Sequence, residues 1–446
     1  MRSQNAHAAG CVTTALRAFR YRNYRLFFFG QGVSLVGTWM QSVAASWMVY
    51  RITGSPMALG LVAFAGQLPA FFVSPFAGVL NDRWNRHRVL VIVQYLAMAQ
   101  ASLMAALAFS GYAALWNILA LSLFLGLVNA FEMPTRQALV IELVDDANDL
   151  GNAIALNSAL FNGTRLIGPA IAGVIVAFHG EGICFSVNAV SYFAAIAAFT
   201  AMRIPGRKRA DRAKNLFAEM KEGIVYAVRF TPIRDILILL SINSLVGMSF
   251  PVLLPVFATK ILGGDSGVYG SLVAASGLGA TAGTIYLAMR ESIRGLVRVI
   301  TVSMFFFGVM LLAFSFSTSH YLSMALIALV GFGMIVNIAG SNTILQTIVD
   351  DDKRGRVTSF YIMSFMGTAP LGSLLAGALS SAFGAPVAVR VGACICLVGA
   401  MLFAARAQSI RRLIRPMYSR TGVIPEVAAG IETTEILREP PENQGA

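Results

Sequence analysis

A charged side chain well inside a long apolar run needs a reason, and Arg165 and Glu132 could do chemistry there. Arg165 lies near the middle of the run 152–178, and Glu132 lies at the end of the run 113–133. An arginine in hydrocarbon costs roughly 2.5–3.5 kcal/mol on insertion scales, so it must face a partner or a wet cavity. Glu132 is the one acid clearly inside a run, with Asp235 at a boundary, and is therefore the partner expected for Arg165. A carboxylate whose proton affinity rises when its surroundings dry is also what proton coupling requires. Each residue has a plainer reading too. Arg165 could bind backbone carbonyls or a neighbouring helix, and Glu132 could end a helix among lipid headgroups.

Other polar groups embedded in apolar runs are Gln31, Gln41, Asn129, Asn157, Asn162, Asn243, Asn337 and Asn342. They could line a cavity or hold helices together. Trp39, Trp47, Phe71 and Tyr361 would suit a bulky, partly aromatic molecule in such a cavity.

Several chemistries are missing their residues. There is no G-x-x-x-x-G-K-[ST] loop to cradle a nucleotide, no H-E-x-x-H and no G-x-S-x-G, and His7, His87, His179 and His320 are scattered at the edges of runs. Cys11, Cys184, Cys394 and Cys396 form no metal or disulfide framework, and Cys394 and Cys396, two apart on a helix, should face apart. Neither an enzyme nor an ATP-driven pump is expected, and no metal or cofactor. Residues 1–25 lack the apolar core of a cleaved signal, so Ala9-Gly10-Cys11 is read as a chance likeness to a lipoprotein box.

The elements that must position these residues are membrane-spanning helices. Hydrophobic residues make up 57% of the chain and charged ones 12%, against about 25% charged in soluble domains, and mean hydropathy is +0.70. Twelve spans of about 20 residues are expected. They are 26–49, 58–80, 89–110, 113–133, 152–178, 183–202, 236–258, 270–289, 299–317, 321–341, 360–382 and 387–405. All Lys and Arg but Arg51, Lys260, Arg390 and the span-embedded Arg165 fall in one alternate set of connections. That bias puts the set, and both termini, in the cytoplasm. The net charge of +13 thus sits at membrane edges, pointing to anionic lipid and away from nucleic acid.

The chain also repeats itself at an interval near 204 to 209 residues. Asp145-Asp146 answers to Asp350-Asp351, Gly151 to Gly355, Gly163-Thr164 to Gly367-Thr368, Gly168 to Gly372 and Gly173 to Gly377; Arg20 and Arg25 answer to Arg229 and Arg234. The organisation expected is a cytoplasmic segment 1–25, a six-helix bundle 26–202, a linker 203–235 and a second six-helix bundle 236–405. A cytoplasmic tail, 406–446, then ends the chain, disordered at least beyond about 421. The linker carries Leu216, Phe217, Met220, Ile224, Ala227 and Val228 at helical spacing, which suggests a surface-lying amphipathic helix. Two bundles of the same topology that rock about a central site are a transporter architecture.

The segment GVLNDRWNRHRVL, between spans two and three, resembles the G-x-L-A-D-R-x-G-R-K-x-x-L signature of the major facilitator superfamily. Gly78, Leu80, Asp82, Arg83, Arg86 and Leu90 match; Asn81, Asn85 and His87 depart, with Asn85 tolerating the left-handed turn that glycine would supply. The resemblance implies an all-α membrane fold of twelve helices in two pseudo-symmetric bundles. It also implies a latch of Gly78, Asp82, Arg83 and Arg86 that meets the start of span eleven near Arg356 to Phe360. GTRLIGPAIAG looks like the G-P-rich antiporter motif, with Gly163, Arg165, Gly168, Pro169 and Gly173 in its positions and Ala172 replacing a glycine. Tight packing or the direction of transport would each account for it. The opening FRYRNYRLFFFGQGVSLVGTWM and the run from NAFEMPTRQALVIELV onward resemble the subgroup that holds the enterobactin exporter and macrolide efflux proteins.

The function that follows is a secondary transporter exporting a drug-like or siderophore-like small molecule by proton antiport. Proton-coupled uptake of a nutrient is the alternative. The expected residues are Glu132 and Arg165 for coupling, and Gln31, Trp39, Gln41, Asn129, Asn162, Asn243, Asn337 and Tyr361 for the cavity. A monomer in the inner membrane, driven by the proton gradient, completes the expectation.

Overall fold

The computed structural model describes residues 17–144, 146–203, 230–247, 249–290, 295–348 and 354–420, without the side chains of 74–83, 141, 147–148, 346, 354–363, 365–366 and 414–420. Among them the chain is helical. After a short 3-10 turn at Arg17–Arg20 come α1 (Arg22–Thr53), α2 (Pro56–Arg83), α3 (Arg86–Ser110), α4 (Leu115–Glu142), α5 (Ala147–His179) and α6 (Glu181–Thr200). The second half holds α7 (Thr231–Ile261), α8 (Ser266–Ala288), α9 (Leu296–Phe314), α10 (His320–Ile348), α11 (Arg354–Phe383) and α12 (Ala385–Arg420). Ten of these are long and apolar enough to cross a membrane on length and composition alone. The other two are α1, interrupted by Gln31 and Gln41, and α11, described only in part.

Several helices outrun their apolar runs. α4 continues through Pro134 to Glu142, so Arg136, expected in a loop, lies inside a helix. α12 continues to Arg420, so 406–420, expected as tail, is helical; Arg406 there binds Asp235 at 3.1 Å, tying α12 to the start of α7. α7 is broken around Ser249, where Pro251 and Pro255 withdraw backbone donors, and it ends in a π turn at Phe257–Ile261. The linker helix expected within 203–235 and the tail beyond 420 fall outside the described residues.

The internal repeat is a structural two-fold. Each half closes on itself through the same pairings: α1 with α5 and α6 and α2 with α4 in the first, α7 with α11 and α12 and α8 with α10 in the second. The repeated glycines mark the crossings. A Cβ on Gly168 would meet the carbonyl of Val36 on α1, and one on Gly372 would meet that of Leu245 on α7. Val36 and Leu245 are themselves one repeat interval apart.

The end of the bundle where α1 begins and α12 ends, with Arg17, Arg20, Arg22, Arg86 and Arg88 among its described residues, is here the basic face. There the 3-10 turn is fastened to α5: Arg20 pairs with Asp149 at 2.6 Å, and Tyr21 donates to the same carboxylate. The Arg20 guanidinium is held above its ordinary value, first by its bond to the Tyr21 hydroxyl and then by Asp149 and Asp146. Arg86 binds Glu142 at 2.6 Å, and His87 donates to the carbonyl of Phe199 at 2.6 Å.

Asn85 corrects an expectation. Its φ of −73° is extended rather than left-handed, and its side chain accepts from the Arg88 amide, capping α3. The asparagine supplies a helix cap, a job glycine does with only a few tenths of a kcal/mol to spare. Asn85→Ala should therefore destabilise the purified protein by about 0.5–2 kcal/mol and Asn85→Gly by only a few tenths in thermal melts. A glycine variant more stable than the parent would restore the left-handed reading.

Candidate functional site

One stripe of α5 shows where the interior is open. Gly151, Ile154, Ser158, Asn162, Arg165, Pro169, Ala172 and Val176 recur at spacings of three and four and so share a face. Exposure falls along it: Ile154 is 49% exposed, Asn162 and Arg165 are half-buried, and Ala172 is at 0%. The opposite side of α5 carries Ile167, Ile171, Val174 and Phe178, the apolar side chains that face lipid. The inner stripe therefore lines a chamber open toward the basic face and shut beyond Arg165.

Two symmetry-related contacts shut it. On α5 and α8, Gly173 and Gly270 meet backbone to backbone; a Cβ on Gly173 would stand 2.9 Å from the Cα of Gly270. On α2 and α11, a Cβ on Gly377 would stand 3.0 Å from the Cα of Gly60. Met57 donates its amide to Ser381 at 3.0 Å, and Gln67 donates to Ser373 at 3.4 Å. Trp47 of α1 stacks on Tyr269 of α8, ring centres 6.1 Å apart. Small residues let the halves approach closely, which substitutes dispersion contacts for the hydrophobic force missing inside a membrane.

Arg165 sits just below this seal, about 12 Å along the helix from Gly173 at 1.5 Å per residue. Its guanidinium lies over the Trp39 ring, 5.6 Å from the centroid, and Phe161 meets the same indole edge-on at 5.8 Å. Gly168 makes the arrangement possible, because a Cβ there would stand 2.6 Å from that of Trp39. Among the described residues no carboxylate reaches Arg165, and its nitrogens are not among the buried atoms that lack a partner. The guanidinium thus opens onto the chamber. A cation–π contact of about 0.5–2 kcal/mol offsets part of the cost of burying the charge.

Glu132 is not its partner. The Glu132 carboxylate lies 3.1 Å from Arg136, one turn on along α4, with only 17% and 8% of the two side chains exposed, and Gln31 donates to it at 3.5 Å. The pairing expected between Glu132 and Arg165 is corrected to Glu132–Arg136. Arg136 was missed because Pro134 read as a helix end, although the apolar Ala138–Ile141 beyond it signalled continuation. Phe161 was missed as well, although it lies four residues before Arg165 on the same face.

The remaining candidates separate by environment. Gln41 donates to Gln100 at 2.8 Å and accepts from Asn188 at 2.8 Å, joining α1, α3 and α6 inside the first half. Asn243 donates to Asn337 at 2.9 Å, and Asn337 donates to the carbonyl of Ile300, joining α7, α10 and α9 inside the second. These interhelical bonds average about 0.6 kcal/mol each in membranes, and they occupy side chains expected in the cavity. Asn162 donates to the carbonyl of Ser158 on its own helix, and Asn129 is exposed on α4. Phe71 packs over Gly367 between α2 and α11. In the antiporter-like motif, Gly168 and Gly173 are contact points and Pro169 lies within a continuous helix, while a Cβ on Gly163 would meet open space. The side chains of Asp82, Arg83 and Tyr361, and the surroundings of Gly78, lie outside the described residues. Of the expected latch only Arg86 is placed, bound to Glu142 within its own half.

The profile of the transmembrane secretion effector family matches residues 13–413. The chain is 28% identical over 363 residues to the staphyloferrin A transporter of Staphylococcus aureus, covering 81% of this chain and 90% of that one. It is 28% identical over 370 residues to the multidrug efflux pump Tap of Mycolicibacterium fortuitum, covering 80% and 89%. Macrolide efflux protein A of Streptococcus pyogenes is 22% identical over 376 residues, covering 82% and 92%. A bacterial homologue of the iron transporter ferroportin, solved in an inward-facing state, superposes with a TM-score of 0.67 at 16% identity, covering 86% of this chain and 98% of that one. A bacterial homologue of the lysosomal transporter Spinster does so with a TM-score of 0.64 at 14% identity, covering 89% and 97%. With twelve long helices in two equivalent halves among the described residues, the chain belongs to the transmembrane secretion effector family of major facilitator transporters, and it is not an enzyme.

Proposed function

We propose that the protein exports a bulky, drug-like or siderophore-like small molecule from the cytoplasm in exchange for protons, working as a monomer in the inner membrane. The basic face is the cytoplasmic one by the distribution of Lys and Arg, which puts both termini inside and anionic lipid around the basic connections. In that orientation the chamber stands open to the cytoplasm and loads from it. The observation that carries the reading is the stripe of α5, exposed at Ile154, half-buried at Arg165 and buried at Ala172. Relatives named as efflux pumps support the direction. Rocking of the halves would break the glycine seal and join Asp82 to the start of α11 as the latch on the other side.

Inverted membrane vesicles with an acid interior test this, with radiolabelled erythromycin and iron-free staphyloferrin A as probes. Accumulation of either, abolished by collapsing the proton gradient, is the expected result. Accumulation confined to right-side-out vesicles would replace export by uptake.

A further inference from the structure

We propose that the closed end of the chamber is an anion-binding subsite, in which Arg165 receives the anionic group and Trp39 and Phe161 form the wall for a flat ring. Among transported molecules the chamber would then favour organic anions with an aromatic or similarly planar body over cations such as the erythromycin probe. The proposal deepens the export reading and rests on this chamber being the substrate path.

Three observations lead there. Arg165 is the charge on the inner stripe of α5, and no carboxylate lies within ion-pairing distance among the described residues. Its contact is the face of Trp39, which holds the guanidinium plane and leaves the donor fork without a hydrogen-bond partner among the described residues. The Glu132–Arg136 pair of this half is closed on itself and adds little net field. The chamber's closed end is therefore positive, low in dielectric and walled by two aromatic rings. A guanidinium presents five N–H donors in a fixed plane that matches a carboxylate or a catecholate pair of oxygens. Such charge-assisted bonds are about twice as strong as neutral ones. A cationic ligand would meet the opposite, an unscreened like charge.

The test uses the full-length protein in lipid nanodiscs and two probes of one shape, 2-naphthoate and its uncharged amide, 2-naphthamide, titrated by calorimetry. The parent should bind naphthoate at least about tenfold more tightly than the amide. Arg165→Gln should erase that preference while still binding both probes weakly. Arg165→Lys should keep part of it, since charge remains and the planar fork is lost. Trp39→Ala should weaken both probes alike. Thermal melts of each variant separate misfolding from lost binding, and the lysine variant carries the conclusion if the glutamine variant fails to fold. The proposal falls if the parent prefers neither probe or binds neither. It falls also if Arg165→Gln retains the full preference. Accumulation in right-side-out vesicles together with a naphthoate preference would sink export and leave the subsite. Accumulation of erythromycin in inverted vesicles without that preference would do the reverse.

Discussion

Gly270→Val is expected to cut transport at least tenfold by holding the face opposite the basic one ajar. A Cβ at Gly270 would stand 2.5 Å from the Cα of Gly173 and 2.9 Å from the carbonyl oxygen of Pro169. Both obstacles are backbone, which cannot swing aside as a side chain can, so α5 and α8 must part. Overpacking of this kind costs about 1–3 kcal/mol. Charged only against the state in which the seal is made, that is a population shift of about 5- to 150-fold. A cysteine at Ser46, beside the Trp47–Tyr269 stack, reports the seal in a background lacking the four native cysteines. A membrane-impermeant thiol reagent added on that side should label it in the Gly270→Val protein and spare it otherwise. Gly60→Val, at the symmetry-related contact with Gly377, should do the same. Parental turnover and continued protection in both variants would mean that the chamber closes elsewhere.

Arg136→Gln is expected to destabilise the protein by about 3–5 kcal/mol, because it strands the Glu132 carboxylate inside the bundle. The Arg136 and Glu132 side chains are 8% and 17% exposed, and among the described residues Gln31 also donates to the carboxylate, at 3.5 Å. Adding Glu132→Gln to Arg136→Gln should restore much of the loss, since the double variant buries two neutral amides instead of one orphaned charge. A double-mutant cycle in thermal melts measures the coupling, and additive losses would show that the pair contributes nothing. Glu132→Gln alone also tests proton exchange: its transport should lose the parent's dependence on pH. A parental pH profile would assign the coupling proton to another group.

How much was legible in the primary structure depends on the range of each interaction. Segment 163–173 announced its own fold, since Gly168 and Gly173 repeat at Gly372 and Gly377 and all four mark helix crossings or seals. Cys394 and Cys396 face apart, one exposed and one buried, as a separation of two on a helix requires. Helix ends were less legible. Pro134 ended a run on paper, yet α4 passes through it, because one missing donor is a small loss in a helix packed on its neighbours. Asn85 was placed as a turn residue because backbone dihedral and capping role cannot be told apart from the letter alone.

The helical spans and the two-fold repeat followed from the order of residues, because hydrocarbon thickness and helical period are each properties of a single segment. Which buried polar groups are spent on one another was settled only in three dimensions. Gln41 with Gln100 and Asn188, and Asn243 with Asn337, are tied to neighbouring helices, and Glu132 is paired with Arg136 instead of Arg165. Arg165 lies over Trp39 instead, at the shut end of the chamber. A hydrogen bond is decided within about 3 Å, and the helices that supply its two ends are set beside each other by packing rather than by order along the chain.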